Sequence, residues 1–265
     1  MTTENRVAIV TGASSGIGAA AARMFAEAGV RVAANYAGNS DGAAAVVKAC
    51  KDTGGEAFAI QGDVSQDEVC RGIVSQVMDR WGRVDILINN AGMTRSADMA
   101  DLDAVSKSDF EDIYGVNTIG VYQMVRAATP AFKASGNGSV VNTSSVAGIA
   151  GIGSSIAYAA SKGALNSLTL ALARSLAPQI RVNAVCPGFV DSEWWAKQHD
   201  EETIEKLRAR ARSTTPLRRL VSSDDVAEAI MLFALRGRSI TGQLLVIDNG
   251  MLLNVGQPLA DAHES

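Results

Sequence analysis

The sequence predicts a single α/β domain in which a doubly wound, parallel sheet of seven strands carries helices on both faces. Short apolar runs alternate with longer helical patterns, which is typical of a parallel sheet covered on both sides. The predicted strands are Arg6 to Val10, Val30 to Asn35, Glu56 to Gln61, Val84 to Asn89, Ser139 to Ser144, Ile180 to Val185 and Leu244 to Ile247. The predicted helices are Ala19 to Phe25, Ala43 to Lys51, Asp67 to Arg80, Asp109 to Phe132, Ala157 to Leu176 and Asp224 to Leu235.

Length and composition agree with one large domain. The 265 residues are 47% hydrophobic, which is enough for a substantial core. The net charge of −4 and the pI near 5.3 argue against nucleic acid as a partner. We expect no signal peptide and no membrane span, and therefore a soluble, cytoplasmic protein, because the N-terminus is polar and the apolar runs are short. The three cysteines are far apart, so we expect reduced structural thiols and no metal site.

A glycine-rich turn, Thr11 to Gly18, connects the first predicted strand to the first predicted helix. Its spacing is G-x-x-x-G-x-G, which differs from the more familiar G-x-G-x-x-G. A turn of this kind presents backbone N–H groups and a helix N-terminus to a pyrophosphate. The same run also matches the G-x-S-x-G elbow of serine hydrolases, which requires a histidine partner. Only His199 and His263 are available for that role.

Tyr158 and Lys162 form a second candidate site. On a helix, residues four apart emerge on one face, so the ammonium of Lys162 can act on the phenol of Tyr158. A free tyrosine has a pKa of about 10, and a neighbouring cation lowers such a pKa by roughly 1 to 3 units. The pair is therefore a candidate proton-transfer group, although a Tyr and a Lys at this spacing are also common on ordinary helices.

The motifs together resemble those of the short-chain dehydrogenase/reductase family, and most closely its 3-oxoacyl carrier-protein reductase branch. The resemblance runs from about Arg6 to Met251. Besides the turn and the Tyr158 and Lys162 pair, it rests on Asn89-Asn90-Ala91-Gly92, Asn117, Ser145 and Pro187-Gly188 in the family's order and spacing.

The resemblance implies one Rossmann domain over residues 1–265 and a role for each motif residue. Tyr158 is then the general acid/base, Lys162 lowers its pKa and holds the nicotinamide ribose, and Ser145 bonds the substrate oxygen. Asn117 would anchor a proton-relay water. The implied cofactor-binding residues are Gly12, Ser14, Ser15, Gly16, Ile17, Gly18, Tyr36, Ala37, Asp63, Val64, Asn90, Ala91, Gly92, Tyr158, Lys162, Pro187, Gly188 and Val190.

The end of the second predicted strand bears on cofactor choice. Tyr36 stands where the family's NAD-preferring members carry an aspartate that accepts from the ribose 2′-OH and repels a 2′-phosphate. Its absence favours NADP(H). NAD(H) is not excluded, because no arginine follows Tyr36 and Ser15 occupies a turn position that is often basic in NADP-binding members.

Residues 188–220 correspond to the family's substrate lid. Aromatic residues and a cluster of cations suit an apolar substrate with an anionic group. In the alternative interpretation, Glu201, Glu202 and Glu205 pair with these cations on an exposed helix. The aromatic residues are Phe189, Trp194 and Trp195, and the cations are Lys206, Arg208, Arg210, Arg212, Arg218 and Arg219.

We expect an oxidoreductase that interconverts a small-molecule ketone and a secondary alcohol, with NADPH-dependent 3-oxoacyl reduction as the leading possibility. An NAD-dependent dehydrogenase of a sugar, steroid or other small alcohol is the alternative, and a non-catalytic cofactor-binding regulator is a remote one. Two helices, Asp109 to Phe132 and Ala157 to Leu176, are apolar on more than one face, which predicts a dimer. With the tail, residues 251–265, as a second contact, we expect a homotetramer.

Overall fold

A computed structural model describes residues 5–253. These residues contain a sheet of seven parallel strands in the order β3-β2-β1-β4-β5-β6-β7 once the strands are numbered along the chain. The predicted fold is therefore confirmed. The strands are β1 (Val7–Val10), β2 (Arg31–Tyr36), β3 (Ala57–Gln61), β4 (Ile86–Asn89), β5 (Gly138–Thr143), β6 (Ile180–Pro187) and β7 (Leu244–Ile247).

Helices cover both faces of this sheet. Alternate strand residues point to opposite faces, so Ala8 and Val10 pack into one core and Val7 and Ile9 into the other. The helices are α1 (Gly16–Glu27), α2 (Ser40–Asp52), α3 (Asp67–Trp81), α4 (Lys107–Tyr114), α5 (Val121–Ser135), α6 (Ala147–Ala150), α7 (Ile156–Leu176), α8 (Glu201–Thr214) and α9 (Ser223–Met231). Helices α1, α2 and α9 pack on the first core, and α3, α5 and α7 pack on the second.

The predicted helix Asp109 to Phe132 was wrong as one continuous element. A π-helical turn, Gly115–Gly120, separates α4 from α5. Two features of the packing accompany this local widening. Asn117 turns into the interior and is fully buried, and a Cβ added at Gly120 would lie 2.8 Å from the carbonyl oxygen of Val64. A second π-helical turn, Leu232–Arg236, replaces the end of the predicted helix Asp224 to Leu235.

The reversal of strand order creates the crevice in which ligands of such sheets bind. From β1 the chain crosses to β2 on one side, and it later returns to place β4 on the other. The loops that follow the two strands therefore separate at their C-terminal ends. The glycine-rich turn follows β1 and the Asn90 segment follows β4, so both border this crevice.

Two further expectations concern the state of the cysteines and the presence of a membrane span. Cys50, Cys70 and Cys186 are buried and free, and burial raises the pKa of each thiol to about 11, as expected for structural thiols. None of the helices between residues 5 and 253 has the length and apolar character that crossing a membrane requires.

Candidate active site

A cavity of about 1420 Å³ opens at the C-terminal edge of the sheet. This volume exceeds the roughly 300–1,000 Å³ of a typical small-ligand pocket, so the cavity can hold a dinucleotide together with a second molecule. The structure brings most of the predicted site residues into its wall. These are Gly12, Ser14, Ser15, Gly16, Ile17, Ala37, Asp63, Val64, Asn90, Ala91, Gly92, Ser145, Tyr158, Lys162, Pro187, Gly188 and Val190.

Hydrogen bonds connect the glycine-rich turn to the segment after β4. The side-chain oxygen of Thr11 accepts from the backbone N–H groups of Asn90 and Ala91, both at 3.0 Å. The amide of Asn90 in turn donates to the carbonyl oxygen of Gly12 at 3.1 Å. Gly12 has a φ of +61°, and a Cβ there would lie 2.8 Å from the Cα of Ala91. The two segments can therefore approach this closely only with glycine at position 12.

The turn also leaves space for a phosphate group. At Gly16, where φ is +55°, the atom nearest to an added Cβ is 3.8 Å away, so a side chain there would project into the cavity that the turn lines. Backbone N–H groups at the start of α1 border that space, and they suit an anion. The residues present therefore fit the pyrophosphate of a dinucleotide.

Three predicted site residues lie outside the wall. Gly18 instead lets α1 approach the turn, because a Cβ there would lie 2.4 Å from the Gly12 carbonyl oxygen. Tyr36 ends β2, and its neighbours Asn35 and Ala37 line the cavity in its place. Asn117 is the third.

The side chain of Asn117 joins three segments. Its Oδ1 accepts from the backbone N–H of Met93 at 2.9 Å, and its Nδ2 donates to the Met93 carbonyl at 2.9 Å and to Ser161 Oγ at 3.0 Å. This amide thus connects the π-helical turn to the segment after β4 and to α7. Both Nδ2 donors are used, so the predicted proton-relay water would have to bind an acceptor oxygen of this residue, and that role stays a prediction.

Ser145, Tyr158 and Lys162 come together where β5 meets α7. Ser145 follows β5, and its Oγ accepts from the backbone N–H of Ala147 at 3.1 Å. Helix α7 begins after Ser155, whose side chain accepts from the Tyr158 N–H at 3.2 Å. One turn further along, Lys162 Nζ donates to the Thr143 carbonyl at 2.8 Å and lies 5.6 Å from the centre of the Tyr158 ring.

Burial controls the electrostatics of this group. It raises the pKa of Tyr158 to about 12, and a hydrogen bond with Ser145 acts in the opposite direction. Burial also lowers the pKa of Lys162 to about 8. Burial therefore keeps the phenol protonated, and the expected lowering of its pKa by Lys162 stays a prediction. In this state Tyr158 is a proton donor.

The predicted lid segment, residues 188–220, contributes one side of the cavity. The rings of Phe189 and Trp195 stack with their centres 5.1 Å apart, and Trp195 Nε1 donates to the Val190 carbonyl at 3.0 Å. Ser96, on the opposite loop, donates to Gln198 Oε1 at 2.7 Å. The segment therefore closes over the cavity against residues 93–98.

Acidic residues pair with most of the lid cations, as the alternative interpretation predicts. Arg208 is the most heavily paired, with Asp191 Oδ1 at 2.9 Å and Glu201 Oε1 at 2.7 Å. The other pairs join Lys206 to Glu202, Arg212 to Glu205 and Arg219 to Asp225.

The hydrolase interpretation finds no support in the geometry. Nε2 of His199 lies 3.2 Å from Ser96 Oγ, and its ring stacks on Trp195 at 6.1 Å. Ser96 is not a serine of the glycine-rich turn. His263, the other candidate, lies outside the described residues.

Sequence reasoning missed several wall residues on the loops that follow the strands. For some of them, position relative to the motifs was the available signal, since Asn35 directly precedes Tyr36 and Met93 directly follows Gly92. Asn39 could also have been found as the residue that caps α2, where its Oδ1 accepts from the Gly42 N–H at 3.0 Å. The missed residues include Asn35, Gly38, Asn39, Met93, Ser96, Ala97, Thr143, Val146, Ala147, Ile152, Gly153 and Ser154.

A dinucleotide turn and a Ser–Tyr–Lys group that share one cavity at the C-terminal edge of a doubly wound sheet define a nicotinamide-dependent oxidoreductase. The family model described as short chain dehydrogenase matches residues 6–203, and the chain belongs to that family. Its members act on CH–OH and ketone groups with a nicotinamide cofactor, so the protein is an oxidoreductase of this kind.

Relatives of known name or structure cover nearly the whole chain. "Granaticin polyketide synthase putative ketoacyl reductase 2" of Streptomyces violaceoruber is 41% identical over 93% of this chain and 96% of that protein. The 3-oxoacyl-[acyl-carrier-protein] reductase FabG of Staphylococcus epidermidis is 34% identical over 94% of this chain and 100% of its own length. A crystal structure of a "putative short-chain dehydrogenase/reductase" from Burkholderia xenovorans is 44% identical, with a TM-score of 0.87, over 94% of this chain and 98% of that one.

Proposed function

We propose that the protein reduces a 3-oxoacyl-type ketone to a secondary alcohol with NADPH. The observation that carries the proposal is the placement of Ser145, Tyr158 and Lys162 in the same cavity as the glycine-rich turn. The names of the ketoacyl reductase relatives supply the substrate class. The buried free cysteines suit a reducing compartment, so we propose the cytoplasm as its location.

Each residue of the group has a defined task in this reaction. When bound, the reduced nicotinamide supplies the hydride. Tyr158 donates the proton of its Oη to the carbonyl oxygen, and Ser145 Oγ donates a hydrogen bond to the same oxygen, so both polarise the carbonyl. Lys162 holds the nicotinamide ribose and favours the phenolate that remains. Residues 188–220 act as a lid that excludes water.

The substrate class is tested by a panel of 3-oxoacyl thioesters, cyclic ketones and polyols, each assayed with both cofactors. We expect the highest kcat/KM for a 3-oxoacyl thioester with NADPH. A higher value for a polyol or a cyclic substrate with the NAD couple would overturn the proposal in favour of a small-alcohol dehydrogenase.

The preference for NADPH rests on the wall that follows β2. Its residues, Asn35 and 37–39, carry no charge, so no carboxylate there repels a 2′-phosphate. Helix α2 begins directly after Asn39, and the positive end of a helix dipole favours an anion.

A carboxylate placed in this wall should shift the preference toward NADH. We expect Ala37→Asp, and to a smaller degree Tyr36→Asp, to lower the ratio of kcat/KM for NADPH to that for NADH by about ten-fold or more, because like charges in one place repel. Position 37 has the larger expected effect because it lines the cavity.

Ala37→Asn and Tyr36→Asn are the matched neutral controls and should leave the ratio nearly unchanged. An unchanged ratio in both aspartate variants would contradict the placement of the adenosine ribose beside β2.

We further propose that the protein forms a two-fold-symmetric dimer through α5 and α7, doubled into a tetramer. Large apolar side chains are exposed on the α5 side, with Ile119 at 50% and Tyr122 at 44%, and Leu170 on α7 is 48% exposed. Contiguous apolar surface marks protein–protein interaction sites, and we assign these residues to one. A second exposed apolar surface lies at the edge of the sheet. It consists of Val246 on β7 and Leu232, which follows α9.

Light scattering at micromolar concentration tests the assembly. We expect a tetrameric mass for the full chain and a dimeric mass for Val246→Lys, which places a charge on the β7 surface. A monomeric full chain would refute the proposal. The predicted contact of the tail, residues 251–265, falls largely on residues outside the described range, and truncation at Asn254 tests it: a dimer that persists would restrict the tail to the tetramer contact.

A further inference from the structure

Helix α8 carries four cations, and Arg210 differs from the other three. Lys206, Arg208 and Arg212 each lie within salt-bridge distance of an acid of the same region. Within residues 5–253, Arg210 has no such acidic partner.

The position of Arg210 explains why it is left without an acid. The face of α8 that lines the cavity consists of Thr203, Leu207, Arg210, Ala211 and Thr214, whose spacing follows one side of a helix. The paired cations lie on the remaining faces. Arg210 is therefore the cation of α8 that faces the cavity.

The rest of the wall offers little compensation for this charge. Its other charged side chains among the described residues are Asp63, Asp98 and Lys162. Lys162 is buried beside Tyr158, and Asp63 follows β3 at the predicted adenine end. Asp98, on the loop opposite the lid, accepts from the backbone N–H of Ala100 at 2.9 Å.

Arg210 is exposed to solvent at the edge of this cavity. The lid side of the cavity wall also carries the apolar side chains of Phe189, Trp194 and Leu207. The Arg210 guanidinium is a planar fork that matches both carboxylate and phosphate, and nearby apolar side chains can hold the uncharged body of a substrate.

We infer that Arg210 binds an anionic oxygen group, a carboxylate or a phosphate, that the substrate carries at a distance from the reacting carbonyl. Arg210 is then a specificity-determining residue for ketones with an apolar body and a remote anion. This inference rests on the proposed function, since it deepens the substrate class that the same cavity accepts.

Matched substrates separate this contact from general effects on the lid. Acetoacetyl-CoA carries phosphates, the N-acetylcysteamine thioester of a 3-oxo-dicarboxylic acid carries a carboxylate, and acetoacetyl-N-acetylcysteamine is neutral. We expect Arg210→Gln to lower kcat/KM for at least one of the anionic substrates by about ten-fold, the usual worth of a charge-assisted hydrogen bond. The neutral thioester should change by less than about two-fold, and the anionic substrate affected identifies the group that is bound.

Three variants serve as controls. Arg212→Gln removes a neighbouring cation of α8 that pairs with Glu205 at 3.4 Å, and it should leave the preference intact. Arg210→Lys should retain part of the preference for the anionic substrate. Asp98→Asn should also leave the preference for the anionic substrate unchanged. A loss of preference equal to that of Arg210→Gln would mean that Asp98 and Arg210 form a contact across the lid, and this would overturn the inference.

Several results would overturn the assignment of Arg210 and leave the proposed function standing. An equal loss for neutral and anionic substrates, no loss for any of them, or a raised KM for NADPH in Arg210→Gln would each overturn the assignment. Wild-type enzyme that reduces none of the three thioesters would instead overturn the proposed function. In that case calorimetric binding of 3-hydroxybutyryl-CoA to the wild type and to Arg210→Gln decides the anion contact: weaker binding by the variant supports it, and equal binding refutes it.

Discussion

Tyr158→Phe should lose nearly all ketone reduction while binding the cofactor within a few-fold of the wild type. The ring stays in place and only the transferable proton is removed. Burial raises the pKa of Tyr158 to about 12, so the wild-type phenol carries that proton throughout the neutral range. A positioned general acid is typically worth about 10² to 10⁴ in rate. Steady-state kcat and the dissociation constant of NADPH, measured on the same preparation, check both parts.

Tyr114→Phe is the matched control. Tyr114 ends α4 and lies outside the cavity wall, so the loss of its hydroxyl should leave kcat unchanged. Activity of Tyr158→Phe above about a tenth of the wild type would contradict the assignment of the general acid.

Lys162→Ala should damage both turnover and cofactor affinity. The ammonium is buried, donates to the Thr143 carbonyl at 2.8 Å and lies beside the Tyr158 ring. Its removal deletes the proposed ribose contact together with the charge that favours the phenolate. We expect kcat/KM for the cofactor to fall by about 10² or more. Lys162→Met, which retains most of the volume, separates the loss of charge from the loss of packing and should be nearly as defective.

The pKa of Lys162 predicts how kcat/KM for the cofactor depends on pH. Because burial lowers the pKa of Lys162 to about 8, the ammonium is present below that pH and is lost as the pH rises through it. The kcat/KM of the wild type for the cofactor, which reports the free enzyme, should therefore fall above about pH 8. The residual activity of Lys162→Met should lack this fall. A wild-type profile that stays flat into the alkaline range would show that the charge of Lys162 is not required.

The sheet could be predicted from the sequence because its strands are short apolar runs bounded by turn residues. The predicted boundaries lie within two residues of the observed ones, as for β6, which continues to Pro187. The break between α4 and α5 could not be predicted. It depends on the burial of Asn117 among hydrogen bonds to Met93 and Ser161, which are distant in the sequence.

Some features of the site could likewise be predicted from the sequence, and others could not. Motif residues at strand ends line one cavity because parallel strands end at one edge of the sheet. Tyr36 lies outside the cavity wall between Asn35 and Ala37, because successive strand residues point to opposite faces, and its cofactor role stays a prediction. Composition likewise placed cations on the lid but could not show which of them pair with acids. Only the orientation of α8 distinguishes Arg210 from Arg208 and Arg212.

The central claim is that one cavity both binds the nicotinamide cofactor and carries out proton transfer through Tyr158. The most direct test follows the absorbance of NADPH during a single turnover with a 3-oxoacyl thioester, in the wild type and in Tyr158→Phe. The account predicts rapid, substrate-dependent oxidation of bound NADPH by the wild type and a rate lower by about 10² or more in the variant. Tight NADPH binding without oxidation in the wild type, or equal rates in the two proteins, would contradict it.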